Sequence, residues 1–241
     1  MNFQQFPTTG SKRLLSLDFM RGFIMVFLAL ESTGLYEHLF FPTRGTWSQK
    51  LVLQFFHHPW NGLRFWDLIQ PGFMYLAGVS MALSLQKQAT ETVPLIKSFK
   101  KILIRCGLLF FFGVLDYAVG PRGLLLDFSD VLTQLSFTLL LAFLIFRWNA
   151  TAQIAVCFGL LLLREILYRF TNVPGFDQPF TNQHNFGNYM ELVLVKRINP
   201  EGWVSINCIP TAVHTIAGAL TGKLLAKGNQ NIKPILVWAF G

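Results

Sequence analysis

The chain has 241 residues, of which 52% are hydrophobic, 15% aromatic and 13% charged. Soluble domains carry about 25% charged residues, so this composition excludes an ordinary soluble domain and points to a polytopic membrane protein. The formal net charge of +8 comes from cations that flank apolar runs, where Lys and Arg mark topology and meet lipid headgroups; with no basic groove and no recognition motif, nucleic acid is not an expected partner.

Residues 2–11 are polar, and the first apolar run carries Arg21 and Glu31 without a small-residue cleavage pattern. It reads as a retained first helix rather than a signal peptide. Spans are expected over residues 14–36, 63–85, 102–119, 131–146, 151–167 and 206–225, each near the ~20 residues that cross a bilayer. A seventh apolar run opens at Pro234, shortly before Gly241. The expected fold is therefore all-α: a polytopic membrane helix bundle with six complete spans and the start of a seventh. Residues 1–241 are read as a single domain that is incomplete at its C-terminus.

The connections carry the topology. Lys12, Arg13, Lys87, Lys97, Lys100, Lys101 and Arg105 crowd one side, whereas the long connections 36–62 and 170–204 hold fewer cations per residue. Cation density sets the cytoplasmic side, so the N-terminus is expected in the cytoplasm. Both long connections are rich in aromatics, amides, Gly and Pro, and long loops of this kind are usually functional or disordered. Their aromatic content argues against disorder. Trp47, Trp60 and Trp203 also suit the interfacial belt.

Cys106, Cys157 and Cys208 lie in or beside apolar runs and match no metal-binding spacing, which suits buried small hydrophobes. No metal is expected. No phosphate-binding Gly-rich loop, dinucleotide fingerprint or zinc-binding His-Glu-x-x-His occurs. The runs Gly72–Gly78 and Gly218–Gly222 place small residues at helical spacing, which allows close helix contact.

Ionisable groups at membrane depth are costly and tend to mark a pathway or a reaction. Asp18 and Arg21 are three residues apart and share a helix face; they either pair to seat the helix end or offer Arg21 to an anionic ligand. Glu31 lies near the outer end of the first span and is either structural or lines a cavity. Asn61, Gln70 and Asn207 sit near span ends, where amides bond a ligand or satisfy broken-helix backbone beside Pro71 and Pro210. His214 follows Pro210 and suits helix packing better than catalysis.

The richest segment is His57-His58-Pro59-Trp60-Asn61-Gly62-Leu63-Arg64-Phe65-Trp66-Asp67-Leu68-Ile69-Gln70-Pro71. It sets two imidazoles, two indoles, amides and a carboxylate at the mouth of an uncharged helix. A carboxylate can hold an imidazole in one tautomer, and the imidazole can then act as general base or attack a thioester itself. Sequence spacing leaves open whether Asp67 reaches His57.

Together with Ser16-Leu17-Asp18-Phe19-Met20-Arg21-Gly22 and Ile209-Pro210-Thr211-Ala212-Val213-His214-Thr215-Ile216-Ala217-Gly218, this segment resembles the heparan-alpha-glucosaminide N-acetyltransferase-like membrane acyltransferases, including their bacterial relatives. The resemblance implies a multi-pass protein of a bacterial inner membrane that takes acetyl from cytoplasmic acetyl-CoA. The acetyl group passes to a glucosamine-like amino sugar on the far side of the bilayer. It implies catalysis by the His three residues before the Trp of Trp-Asn-Gly, here His57. His58 stands where the family often has a small or apolar residue. About ten spans are usual in the family, which is why this chain is expected to lack the last third.

On this reading His57 and Asp67 are the catalytic candidates. Asn61, Trp60, Arg21, Asp18, Glu31 and His214 are the substrate-binding ones, with Glu31, Asp67 and His214 able to line a polar path between helices. A homo-oligomer is compatible with the sequence. The competing reading is a polytopic transporter or sugar permease component whose intramembrane charges relay protons or hold substrate.

Overall fold

The computed structural model describes residues 14–60, 62–119 and 128–226, apart from the side chain of Tyr117. Asn61 and the apolar run that opens at Pro234 lie outside the described residues. Among the described residues the chain is all-helical, with nine α-helices, three short 3-10 turns and no strand. It forms two compact units, one ending at Ile69 and the other beginning at Gln70.

The first unit opens with α1 (Leu15–Ser32). Phe19, Phe23 and Phe27 recur every fourth residue along it and touch in sequence, with ring centroids 6.1 and 4.6 Å apart. The run expected to continue to residue 36 breaks at Gly34, whose φ of +69° is left-handed. A glycine takes that conformation without a Cβ penalty, and it ends a helix. Helix α2 (Leu35–Thr43) starts at the next residue. Helix α3 (Gln49–Val52) runs into the 3-10 turn Leu53–Phe55, and a second 3-10 turn, Phe65–Leu68, leads into α4 (Ile69–Thr90).

The second unit holds α4 from Gln70 onward, α5 (Leu95–Val119), α6 (Val131–Leu144), α7 (Ala150–Phe170), α8 (Phe186–Val195) and α9 (Cys208–Ala226). Its core is apolar and tightly filled: Met74, Met81, Leu135, Leu139 and Ile216 are almost wholly buried. Glycines bring α4 against α9. A methyl group on Gly78 would strike the Thr215 carbonyl, and one on Gly218 would strike the Tyr75 carbonyl. Small residues that let backbones meet are how helices associate where water supplies no driving force. Hydroxyls and amides add cross-links at this seam. Thr215 donates to Thr138 at 3.0 Å, Tyr75 to Thr221 at 2.8 Å, and Gln70 to the Gln134 carbonyl oxygen at 2.9 Å.

Because the obstacle at Gly218 is backbone and not a flexible side chain, Gly218→Val has no low-energy escape. Overpacking costs typically about 1–3 kcal/mol, so the variant is expected to melt clearly below the parent in detergent. An unchanged melting midpoint would show that α4 and α9 do not meet at this position.

Among the described residues, two helical stretches are long and apolar enough to cross a bilayer by length and composition, Phe65–Thr90 with 26 residues and Ala150–Phe170 with 21. The other expected spans are shorter or more charged: α6 has 14 residues, and α1 carries Asp18, Arg21 and Glu31. Helix α7 turns Phe158, Leu162 and Phe170 outward, each at least 61% exposed, as an apolar helix does when its surroundings are lipid. Helix α8 occupies part of the connection read from sequence as a loop.

Candidate functional site

The site is built around one carboxylate in the first unit. Phe56 and Arg64 are both extended, with φ near −116° and −119°, and the chain between them loops back so that its two ends meet at Asp67. The Asp67 N–H donates to the Arg64 carbonyl at 3.1 Å, and the Arg64 N–H donates to Asp67 Oδ2 at 2.8 Å. The first bond closes the 3-10 turn; the second is the half of a capping box in which the third residue of a helical turn reaches back to the N–H of the residue before it. Oδ2 also accepts the His58 N–H at 3.3 Å. The carboxylate is thereby fixed in rotation.

Oδ1 faces the other way and lies 2.8 Å from His57 Nδ1. An ionised carboxylate only accepts hydrogen bonds, so Nδ1 carries the proton and the basic lone pair belongs to Nε2. The imidazole is 48% exposed while Asp67 is 19% exposed. A shielded carboxylate behind an accessible imidazole is the arrangement in which a base or nucleophile is oriented from its rear. Arg64 Nη1 donates to the His57 carbonyl at 2.8 Å, and the Phe65 N–H donates to Gln54 Oε1 at 3.2 Å. Neither Arg64 nor Gln54 is singled out by sequence reasoning. The only sequence cue is an acidic residue three positions after Arg64, where a carboxylate can reach back to the N–H that precedes a helical turn.

Beneath this loop lies an aromatic cluster. Phe55 stacks on Tyr36 at 4.9 Å and on Phe27 at 5.8 Å, Phe65 meets Phe27 edge-on at 5.3 Å, and Trp66 meets Tyr36 edge-on at 5.4 Å. The Tyr36 hydroxyl donates to the Phe27 carbonyl at 3.1 Å, which satisfies the polar end of an otherwise buried ring. The cluster joins α1 and α2 to the segment that carries His57 and Asp67.

The two neighbouring imidazoles have different surroundings. The Trp60 N–H points to His58 Nδ1 at 3.4 Å, and a methyl group at Gly62 would collide with the His58 ring. His58 is thus folded onto its own loop and partly buried, whereas His57 bonds to Asp67.

The remaining candidates divide. Glu31, at the end of α1, lies within electrostatic range of His57 and of Glu37. Asp18 and Arg21 pair with each other at 3.8 Å, both substantially exposed. They stand at the opposite end of α1 from Glu31, roughly 15–20 Å along the axis at 1.5 Å per residue. Trp60 is 37% exposed beside the loop, and Asn61 lies outside the described residues. His214 belongs to the second unit, partly buried on α9. Among the described residues no group of three or more His, Cys, Asp or Glu side chains could hold a metal ion, and the three cysteines are free thiols.

No family model matches the chain. It is similar to the heparan-alpha-glucosaminide N-acetyltransferase of Mus musculus, at 27% identity over 117 residues. The match takes in 47% of this chain and 16% of that protein's length. The chain thus spans only a small part of the curated relative it matches. At this identity and coverage the similarity supports a distant relationship to an N-acetyltransferase.

Proposed function

We propose that the protein is a membrane acyltransferase that moves an acetyl group from cytoplasmic acetyl-CoA to a glucosamine-like amino sugar on the far side of the membrane. The observation that carries this reading is the His57–Asp67 pair: an accessible imidazole whose Nδ1 is bonded at 2.8 Å to a carboxylate that backbone N–H groups hold in place. In the reaction an acceptor ammonium first releases one proton to become a nucleophilic amine; the amine then forms a C–N bond to acetyl as the C–S bond of the thioester breaks, CoA leaves as the thiolate, and the amine gives up a second proton, which neutralises it. His57 Nε2 is the group that takes that proton, or that carries the acetyl between the two substrates; Asp67 stabilises the imidazolium in either case.

The rest of the reading follows the sequence. Residues 1–241 act as one acyltransferase-like domain with six spans, in a bacterial inner membrane with the N-terminus in the cytoplasm. Arg21 and Asp18, at the far end of α1 from Glu31, serve the polyanionic donor. Glu31, Trp60 and Asn61 serve the cationic acceptor, and His214 is a further substrate-binding residue. A carboxylate within range of the base suits an acceptor that arrives as an ammonium ion, because opposite charges attract strongly where water is partly excluded.

Sealed vesicles of defined sidedness test the proposal. Labelled acetyl-CoA on the cytoplasmic face and glucosamine on the opposite face should yield N-acetylglucosamine on the acceptor side. Glucosamine uptake with no acetylation would instead establish the transporter reading, and transfer only with acetyl-CoA on the opposite face would reverse the orientation.

A further inference from the structure

Arg64 touches both members of the His57–Asp67 pair. Its guanidinium donates from Nη1 to the His57 carbonyl at 2.8 Å, its backbone N–H donates to Asp67 Oδ2 at 2.8 Å, and its carbonyl accepts the Asp67 N–H at 3.1 Å. The two backbone contacts are available to any residue other than proline at this position. The side-chain contact is not: it needs a long cationic donor that can reach back across the loop from residue 64 to residue 57. Arginine is suited to this because its guanidinium is always charged and its donors are held in a rigid plane, and a charged donor makes a stronger bond to a carbonyl than a neutral one does.

We propose that Arg64 is a positioning residue for His57, resting on the acyl-transfer reading above. The chain from Phe56 to Arg64 runs through Pro59 and Gly62 with no helix in the described part, so a helical ladder does not fix the His57 backbone there. Asp67 holds the ring by Nδ1. Arg64 holds the main chain of the same residue by its carbonyl. A ring fixed at both points keeps Nε2 in one place. Without the guanidinium the His57 carbonyl loses this charged donor, and the ring gains freedom to turn about its bond to Asp67. Misplacement of a reacting group by about 1 Å costs on the order of 10²-fold in rate. Gln54 braces the same turn from the other side, through the Phe65 N–H at 3.2 Å.

The test compares Arg64→Ala with Arg64→Lys. Both keep the backbone contacts to Asp67, so the comparison isolates the bond to the His57 carbonyl, and a lysine ammonium can still supply a single donor. Arg64→Ala is expected to lower kcat about 10- to 100-fold with the KM for acetyl-CoA little changed, and Arg64→Lys to recover most of that loss. A readout apart from activity uses ¹⁵N-imidazole NMR of the detergent-solubilised full chain, with the His57 signal assigned through its loss in His57→Ala. The Nδ1–H resonance of a carboxylate-bonded ring should be present in the parent and in Arg64→Lys, and shifted or broadened in Arg64→Ala. Parent-like kcat and an unmoved resonance in Arg64→Ala would overturn the proposal. So would equal impairment of the alanine and lysine variants accompanied by the same fall in melting midpoint, which marks a role in folding alone. If the parent shows no acetyl transfer, the acyl-transfer reading fails, and the NMR comparison still decides whether Arg64 fixes His57.

Discussion

His57→Ala is expected to lower acetyl transfer by about 10²–10⁴-fold, the range that a positioned general base contributes, in a protein that remains folded and membrane-inserted. The imidazole is 48% exposed and lies outside the aromatic cluster of Phe27, Tyr36, Phe55, Phe65 and Trp66, so its removal leaves little packing undone. His58→Ala should cost less activity. Its ring is folded over Gly62 and its Nδ1 faces the Trp60 N–H, which makes it a support of the loop. The two variants are compared by initial rate together with circular dichroism and a melting curve. A dead His58→Ala beside a near-normal His57→Ala would assign the chemistry to the other imidazole.

Asp67→Asn should be nearly as damaging, for a reason that lies in which oxygen bonds to what. Oδ2 accepts two backbone N–H groups, from His58 and Arg64. An amide replacing the carboxylate has to keep its oxygen there, because its NH₂ group would face two donors. That forces the NH₂ toward His57 Nδ1. The ring must then accept at Nδ1 and carry its proton on Nε2, which removes the lone pair the reaction needs. A wrong tautomer and a lost negative charge together are expected to cost on the order of 10²–10⁴-fold in kcat, with a small change in stability. Asp67→Ala differs: it leaves the backbone N–H groups without their partner, at about 1–3 kcal/mol where such groups are buried, so it should lose both stability and activity. Turnover of Asp67→Asn within a few fold of the parent would remove Asp67 from the mechanism.

The sequence made some of this visible and hid the rest for identifiable reasons. The uncharged run after Pro71 and the apolar run from residue 151 are helices in the structure, because a helix satisfies the backbone of a continuous apolar stretch from within the stretch itself. The break at Gly34 was obscured by hydropathy, since Leu35, Tyr36, Leu39, Phe40 and Phe41 continue the apolar character past a left-handed glycine. Helix α8 was missed because its ten residues sit inside a connection full of Asn, Gly and Pro. Its start was nonetheless marked by Asn185, whose side chain accepts the Asn188 N–H at 3.2 Å, as N-cap residues do. At the site, residue types suggested that Asp67 could serve His57, but spacing alone could not close a loop through Pro59 and Gly62. Arg64 carries no role in the sequence reading; where its guanidinium lands depends on the turn at Phe65–Leu68.

The hydrogen bonds described above around the His57–Asp67 pair join residues within the stretch from Gln54 to Asp67. Closing a loop of about ten residues takes roughly 10–100 ns, and the entropy lost in doing so grows only slowly with loop length. A pair assembled from distant helices would have to wait for the last of them to leave the ribosome and insert. Here the parts are synthesised almost together. The hydrogen-bonded geometry is thus written into one short stretch of chain, while the seat it rests on, Phe27 of α1 and Tyr36 of α2, is supplied by residues made just before it.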